Sequence, residues 1–449
     1  LAGVRPEELR ASKLPVRDAS CHDLLVPTLP LRDLLGSTSV RLRSGLGAPT
    51  VLVGVLGGLI GAAYVGLLHL LTSVLGPDHH TSSTQVAILV AVGAAVALIT
   101  RFGGETGNVE LLVDNIHVVG GAQGVKGLRS LIPSSLLCVA AGSAMGPEAP
   151  LVQTTGTVGS VVAARLQRPM LDTRILTITG MAAGFTVLFG APLGSAFFAL
   201  EILHRRGLQY YEALVPAIVG SLCGYGVYLG LSGLGIGPIW SFDDFGPLAA
   251  GDLAIAAVIG LLGAAGAWIF TSTVAAMRGI AGRLPNAARY IAGGLLLGLL
   301  GIWSPYALTF GEAQLETLID ARLAAGALAV AVAAKFLGTT VVLATGWKGG
   351  FIIPLFFIGA TAGQLAHVAL PGADPTVLMA CAMVALCVGV TKTPIGTTLV
   401  VTEMAGLSLL PVTLIAAIVA LLASQRVRLI ETQRSRPPLV EPTGGADRP

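Results

Sequence analysis

Apolar runs alternate with short polar or Gly/Pro-rich breaks along most of the chain. Runs at 48–75 and 86–100 come first, each near or above the about 20 residues that helix needs to cross a bilayer. Shorter runs follow at 109–119, 128–141, 151–166, 175–188 and 193–203, then a full-length one at 211–231. A second series covers 253–277, 287–302, 323–344, 351–370, 377–390, 395–404 and 411–422. Many runs are half-length and end at breaks: 101–108, 146–150, 190–192, 346–350 and 392–394. Irregular backbone at membrane depth survives only where it is buried in protein or lines a cavity. The pattern therefore predicts an all-α polytopic membrane protein whose broken helices surround an internal site.

Composition agrees. Charged residues make up 11% of the 449 and hydrophobic ones 54%, against about 25% charged in soluble domains. A net charge of +3 is too small and scattered to serve nucleic acid. The five cysteines (Cys21, Cys138, Cys223, Cys381, Cys387) have neither CxxC nor metal-ligand spacing and read as buried thiols, so no metal or cofactor is expected. Residues 1–46 are polar, with a candidate interfacial helix at 24–35 and no cleavable signal peptide, and 426–449 form a short tail without a regulatory domain. Both tails carry an Arg/Lys excess, which places them in the cytoplasm and requires an even number of crossings.

The two series repeat. Gly190-Ala191-Pro192-Leu193-Gly194-Ser195 leads to Glu201, and Lys392-Thr393-Pro394-Ile395-Gly396-Thr397 leads to Glu403, at an offset of 202. Ala149-Pro150-Leu151 with Thr157 and Gly159 matches Ile353-Pro354-Leu355 with Thr361 and Gly363, at an offset of 204. The layout is a first membrane repeat at 47–233, a connector at 234–249 and an inverted second repeat at 250–425. Breaks at matched positions of two halves point to a transport site near the midplane. Helix starts after Asn108, Pro147, Gly350 and Thr393 would aim N–H groups and dipoles there, which favours a small anion. Glu148, flanked by Pro147 and Pro150, puts a carboxylate where a free anion would sit, as either a cap or a gate.

These breaks, in this order, resemble the CLC family of chloride channels and chloride/proton antiporters. Its gating motif, Gly-(Arg/Lys)-Glu-Gly-Pro, matches Gly146-Pro147-Glu148-Ala149-Pro150 at three of five positions. Its Gly-x-Phe-x-Pro is similar to Gly350-Phe351-Ile352-Ile353-Pro354 with the Phe shifted by one, and Lys335 resembles a basic residue ahead of that break. The resemblance implies a homodimer in a bacterial inner membrane, with one anion pathway per subunit and Glu148 as the gate. Anion contacts would come from Thr106, Gly107, Asn108, Gly146, Pro147, Ala149, Gly350, Phe351 and Ile352.

Three positions depart from the family. Glu105-Thr106-Gly107-Asn108-Val109 replaces Gly-Ser-Gly-Ile-Pro, no Tyr follows Tyr306, and Ile202 stands where many antiporters carry a proton-transferring Glu. An aliphatic side chain cannot relay a proton, so channel and antiporter both stay open. The missing tyrosine and the stretches around 107–117 and 349–360 also resemble the fluoride-exporting branch, which makes fluoride the second substrate.

Glu201 and Glu403, at matched positions, are read as structural acids bonded to a backbone N–H or a basic residue, with proton transfer as the alternative. Lys335 is expected to snorkel to the interface or pair with a Glu, and His117 to be a lone polar end group. An intramembrane enzyme is the remote alternative. Gly142-Ser143 has no intramembrane His or Lys beside it, since His69, His204 and His367 lie near span ends, and HExxH and a paired-aspartate site are missing.

Overall fold

The computed structural model describes residues 45–104, 109–122, 124–204, 208–233, 240, 242, 245–320 and 323–433. The expected helix at 24–35, most of both tails and of the connector, Cys21, and the candidate contacts Thr106, Gly107 and Asn108 lie outside these residues.

The described residues form sixteen α-helices and no strand. The first eight are α1 (Gly47–Leu75), α2 (Ser82–Gly103), α3 (Val109–Val118), α4 (Leu128–Ala140), α5 (Glu148–Arg165), α6 (Met170–Phe189), α7 (Pro192–Glu201) and α8 (Leu214–Ser232). The second eight are α9 (Ala250–Ala281), α10 (Asn286–Trp303), α11 (Glu312–Asp320), α12 (Ala325–Thr345), α13 (Ile352–Ala369), α14 (Pro375–Thr391), α15 (Pro394–Ala405) and α16 (Leu410–Ala423). Seven helices are long and apolar enough to cross a membrane. The others run from 9 to 20 residues, α3, α4, α7, α15 and α16 being short pieces of the kind that the breaks predict.

Local chemistry sets the ends. Pro192 and Pro394 open α7 and α15, where the first N–H has no intrahelical partner to lose. The Asp374 side chain accepts from the N–H groups of Thr376 and Val377 and caps α14. Helix α6 starts at Met170, five residues before its apolar run, because Asp172 sits in the first turn and Arg174 is buried against the carbonyls of Ile116 and His117. Helix α11 was not expected, since its sequence is polar, but Leu315, Leu318 and Ile319 bury one face of it.

Small residues let the helices approach closely. Gly54 and Gly58 of α1 face Gly220 and Gly224 of α8, and a Cβ on Gly54 would lie 2.6 Å from the Gly220 carbonyl oxygen. This is small-xxx-small packing on both helices, as suits association without a hydrophobic driving force.

The two sets of eight form an inverted repeat, seen best where α7 crosses α15. A Cβ on Gly194 would strike the backbone of Val400, and one on Gly396 would strike the backbone of Phe198. Each contact joins the third residue of one helix to the seventh of the other, so an approximate two-fold axis passes between them. The acids at the helix ends obey it as well. Glu201 Oε2 accepts from the Gly396 N–H at 2.7 Å, and Glu403 Oε1 accepts from the Gly194 N–H at 2.8 Å. Each carboxylate thus caps the start of the other repeat's helix, where the dipole favours negative charge.

Candidate functional site

The same axis brings the starts of α5 and α13 face to face. The N–H of Gly146 donates to the Gly350 carbonyl at 2.9 Å, and the N–H of Gly350 donates to the Gly146 carbonyl at 2.6 Å. This two-residue antiparallel bridge is the meeting point of the broken helices. Pro147 and Phe351 then occupy equivalent N-cap positions, and Glu148 and Ile352 equivalent first helical positions. A carboxylate on one side therefore faces free N–H groups on the other.

Glu148 is fully buried, and its Oε1 accepts from the N–H of Ile353 at 2.6 Å. Its Oε2 has no hydrogen-bond partner among the described residues. That oxygen lies against Gly146 and Gly350, where a Cβ on either glycine would collide with it. The two glycines leave the space that the carboxylate fills. A buried charge needs compensation, and here it comes from one short bond and the N-terminal end of α13. A small anion could use the same N–H groups once the side chain leaves.

Beside this bridge lies a cavity of about 710 Å³, walled by the ends of α1, α6, α8 and α10 and by α11, with Pro147 in its lining. Its ionisable lining residues are Asp78, Glu312, Glu316, His69, His80, Tyr225 and Tyr228, and among the described residues its lining has no Lys or Arg. Burial pushes the carboxyl of Glu312 up to about 7, and the charge of Glu316 adds to the effect. This chamber could not be read from the sequence, because its wall gathers residues from 65 to 316.

The structure places the candidate residues in separate groups. Gly146, Pro147, Glu148, Ala149, Gly350, Phe351 and Ile352 come together, and Ile353, which the sequence did not single out, supplies the N–H that holds the carboxylate. At the start of α15 the Gly396 N–H is taken by Glu201. Lys335 corrects the expectation of snorkelling or pairing with a Glu. It is fully buried and donates to the carbonyls of Leu308 and Thr309, each at 2.7 Å, and to Gln314 Oε1 at 2.8 Å. Three acceptors satisfy the ammonium's three protons and tie the loop at 308–309 and Gln314 to α12. His117 is also no isolated end group. It is buried, with Nδ1 2.8 Å from the Tyr210 hydroxyl and its ring 5.1 Å from that of His204.

Helices broken at two-fold-related places around a buried carboxylate, in a chain this apolar, define an integral membrane protein with a buried polar site between its two repeats. The chain belongs to the CLC family, as the family model for voltage gated chloride channels matches residues 121–425. It is 26% identical over 400 residues to a chloride/fluoride channel protein of Pseudomonas syringae pv. tomato, with 83% of this chain and 86% of the relative covered. Its fold is similar to the crystal structure of a CLC-type fluoride/proton antiporter, with a TM-score of 0.74, 21% identity, and 87% of this chain and 98% of that one covered. A slow cyanobacterial chloride/proton antiporter superposes with a TM-score of 0.71 at 20% identity, covering 83% and 93% of the two chains.

Proposed function

We propose that this protein carries chloride across a bacterial inner membrane, in exchange for protons, with Glu148 as gate and proton carrier. The observation that carries the reading is the buried Glu148 carboxylate held by the Ile353 N–H at the start of α13. In that position it competes with an anion for the same donors. Protonation removes its charge and weakens its hold, so the side chain leaves and an anion enters. When the proton is released the carboxylate returns and expels the anion, which links the two movements.

Phe351 and Ile352, with Gly146, Pro147, Ala149 and Gly350, shape the anion site around the bridge, and the resemblance to the family adds Thr106, Gly107 and Asn108 as anion contacts. Glu201 and Glu403 act as structural caps at the α7–α15 crossing. By its resemblance to the family, the protein works as a homodimer with one pathway per subunit, and the Arg/Lys excess of both tails puts both termini in the cytoplasm.

Fluoride is the second reading. It is supported by the printed name of the Pseudomonas relative, a chloride/fluoride channel protein, and by the lack of any Tyr after Tyr306.

The test is reconstitution in liposomes with anion efflux and proton uptake recorded together, first with chloride and then with fluoride. Chloride efflux with proportional proton uptake is expected. Chloride efflux with no proton movement would reduce the reading to a channel, and strong preference for fluoride would give the site to the second anion.

A further inference from the structure

Helices α2 and α10 pack antiparallel, and their two ends differ in charge. At one end Ser82 and Gln85 of α2 and Gly298, Gly301 and Ile302 of α10 line the chamber, together with Asp78, Glu312 and Glu316. At the other end the start of α10 meets the end of α12. A Cβ on Gly93 of α2 would lie 2.5 Å from the Tyr290 carbonyl oxygen, and the Trp347 Nε1–H, just past α12, donates to that same oxygen at 2.9 Å.

Two cations share the Tyr290 ring there. Arg289 Cζ lies 5.7 Å from the ring centre and Lys348 Nζ 5.8 Å from it, within cation–π range. Tyr290 is buried, and Arg289 and Lys348 are half-buried. Nothing on these helices balances the two charges. The stretches 82–104, 253–311 and 321–373, which hold α2, α10, α12 and the break before α13, contain no Asp or Glu. Among the described residues neither side chain donates a hydrogen bond, and the buried Nε of Arg289 has no partner. By contrast, the fully buried ammonium of Lys335 finds three acceptors. Two half-buried cations against one ring, without a counter-charge in the protein, call for an anion from outside.

We propose that Arg289 and Lys348, with the ring of Tyr290 between α2, α10 and the end of α12, bind the phosphate of an anionic phospholipid in the leaflet away from the chamber. The guanidinium offers a planar fork of N–H donors and the ammonium a point charge, the two ways in which proteins hold phosphate. The surroundings select lipid as its source. Leu98 and Phe102 of α2 and Ile291, Leu295 and Leu299 of α10 are exposed, and so is Leu296, two turns along the same face as Arg289. The cations therefore sit where an apolar, lipid-facing surface ends. This is the face on which α1 begins, after a tail with an Arg/Lys excess, and basic pockets between helices on that side suit acidic headgroups. Lys348 stands two residues before Gly350, whose backbone pairs with Gly146, so a bound headgroup would also steady the break at 346–350.

The test is native mass spectrometry of the full chain with phosphatidylglycerol and phosphatidylcholine of equal acyl length. Wild type should retain phosphatidylglycerol in preference, and Arg289→Gln and Lys348→Gln should each lower that preference about tenfold, as expected for one charge-assisted hydrogen bond. Arg283→Gln, in the loop before α10, should leave it unchanged. Equal retention by wild type and the double variant overturns the site. A loss with Arg283→Gln as large as with Lys348→Gln also overturns it, since a diffuse basic surface would then do the binding. Inorganic phosphate that raises the wild-type Tm as much as a short-chain phosphatidylglycerol would give the site to a free anion and overturn the lipid. Should the double variant fail to assemble, Lys348→Gln, which breaks no hydrogen bond among the described residues, decides by the same ratio.

Discussion

Replacing Glu148 by Gln keeps the shape of the gate and removes its charge. In the structure the carboxylate is held by one bond of 2.6 Å from Ile353 and by the N-terminal end of α13. A hydrogen bond to a charged group contributes about 1.5–3 kcal/mol, against about 1 kcal/mol for a neutral one. Loss of the charge also removes its attraction to the helix end, on the order of 0.3–1 kcal/mol. Together the glutamine is held about 2 kcal/mol less tightly, so a competing anion gains roughly 30-fold in its hold on the same N–H groups. The assay is chloride efflux from proteoliposomes over a range of external pH. Wild-type flux should rise as pH falls, because protonation frees the gate. The mutant should show high flux throughout without that acid-driven rise, and proton uptake should vanish. A mutant with the wild-type pH profile would refute the gate, since position 148 would then not be the group that titrates.

Three other outcomes test the surroundings. Burial pushes the Glu312 carboxyl up to about 7, so above that pH it adds negative charge to the chamber. Glu312→Gln should raise chloride flux above pH 7 and leave it unchanged well below, and equal effects at all pH would show that its charge does not act on the anion. Gly396→Ala drives a Cβ into the backbone of Phe198 at the α7–α15 crossing and should cost about 1–3 kcal/mol, read as a lower Tm in detergent. An unchanged Tm would mean that the crossing is looser than the structure has it. Lys335→Met leaves the carbonyls of Leu308 and Thr309 and the amide oxygen of Gln314 without their donor, at about 1–3 kcal/mol for each one that stays buried. Tm should fall by more than for Gly396→Ala, and a neutral result would show that water replaces the ammonium.

The sequence by itself determined the class of fold. Apolar runs cut by Gly and Pro at offsets of 202 and 204 dictate broken membrane helices in two matching halves, because a lipid-facing backbone must bond within its own helix. It also marked Glu148, since a carboxylate between two prolines at the head of an apolar run needs a local reason. What it left open is which N–H groups meet which acids. Gly146 pairs with Gly350, Glu148 reaches Ile353, and Glu201 and Glu403 exchange helix ends across the repeats, at separations of about two hundred residues that periodicity along one helix does not encode. Lys335 shows the same limit: its position in an apolar run argued for escape to the interface, yet the loop at 308–309 and Gln314 bring three acceptors to it. Local pattern selects helices and breaks because the backbone must satisfy itself. Partners for buried charge are fixed only when the two halves pack, because the desolvation that each charge must offset depends on what the other half presents.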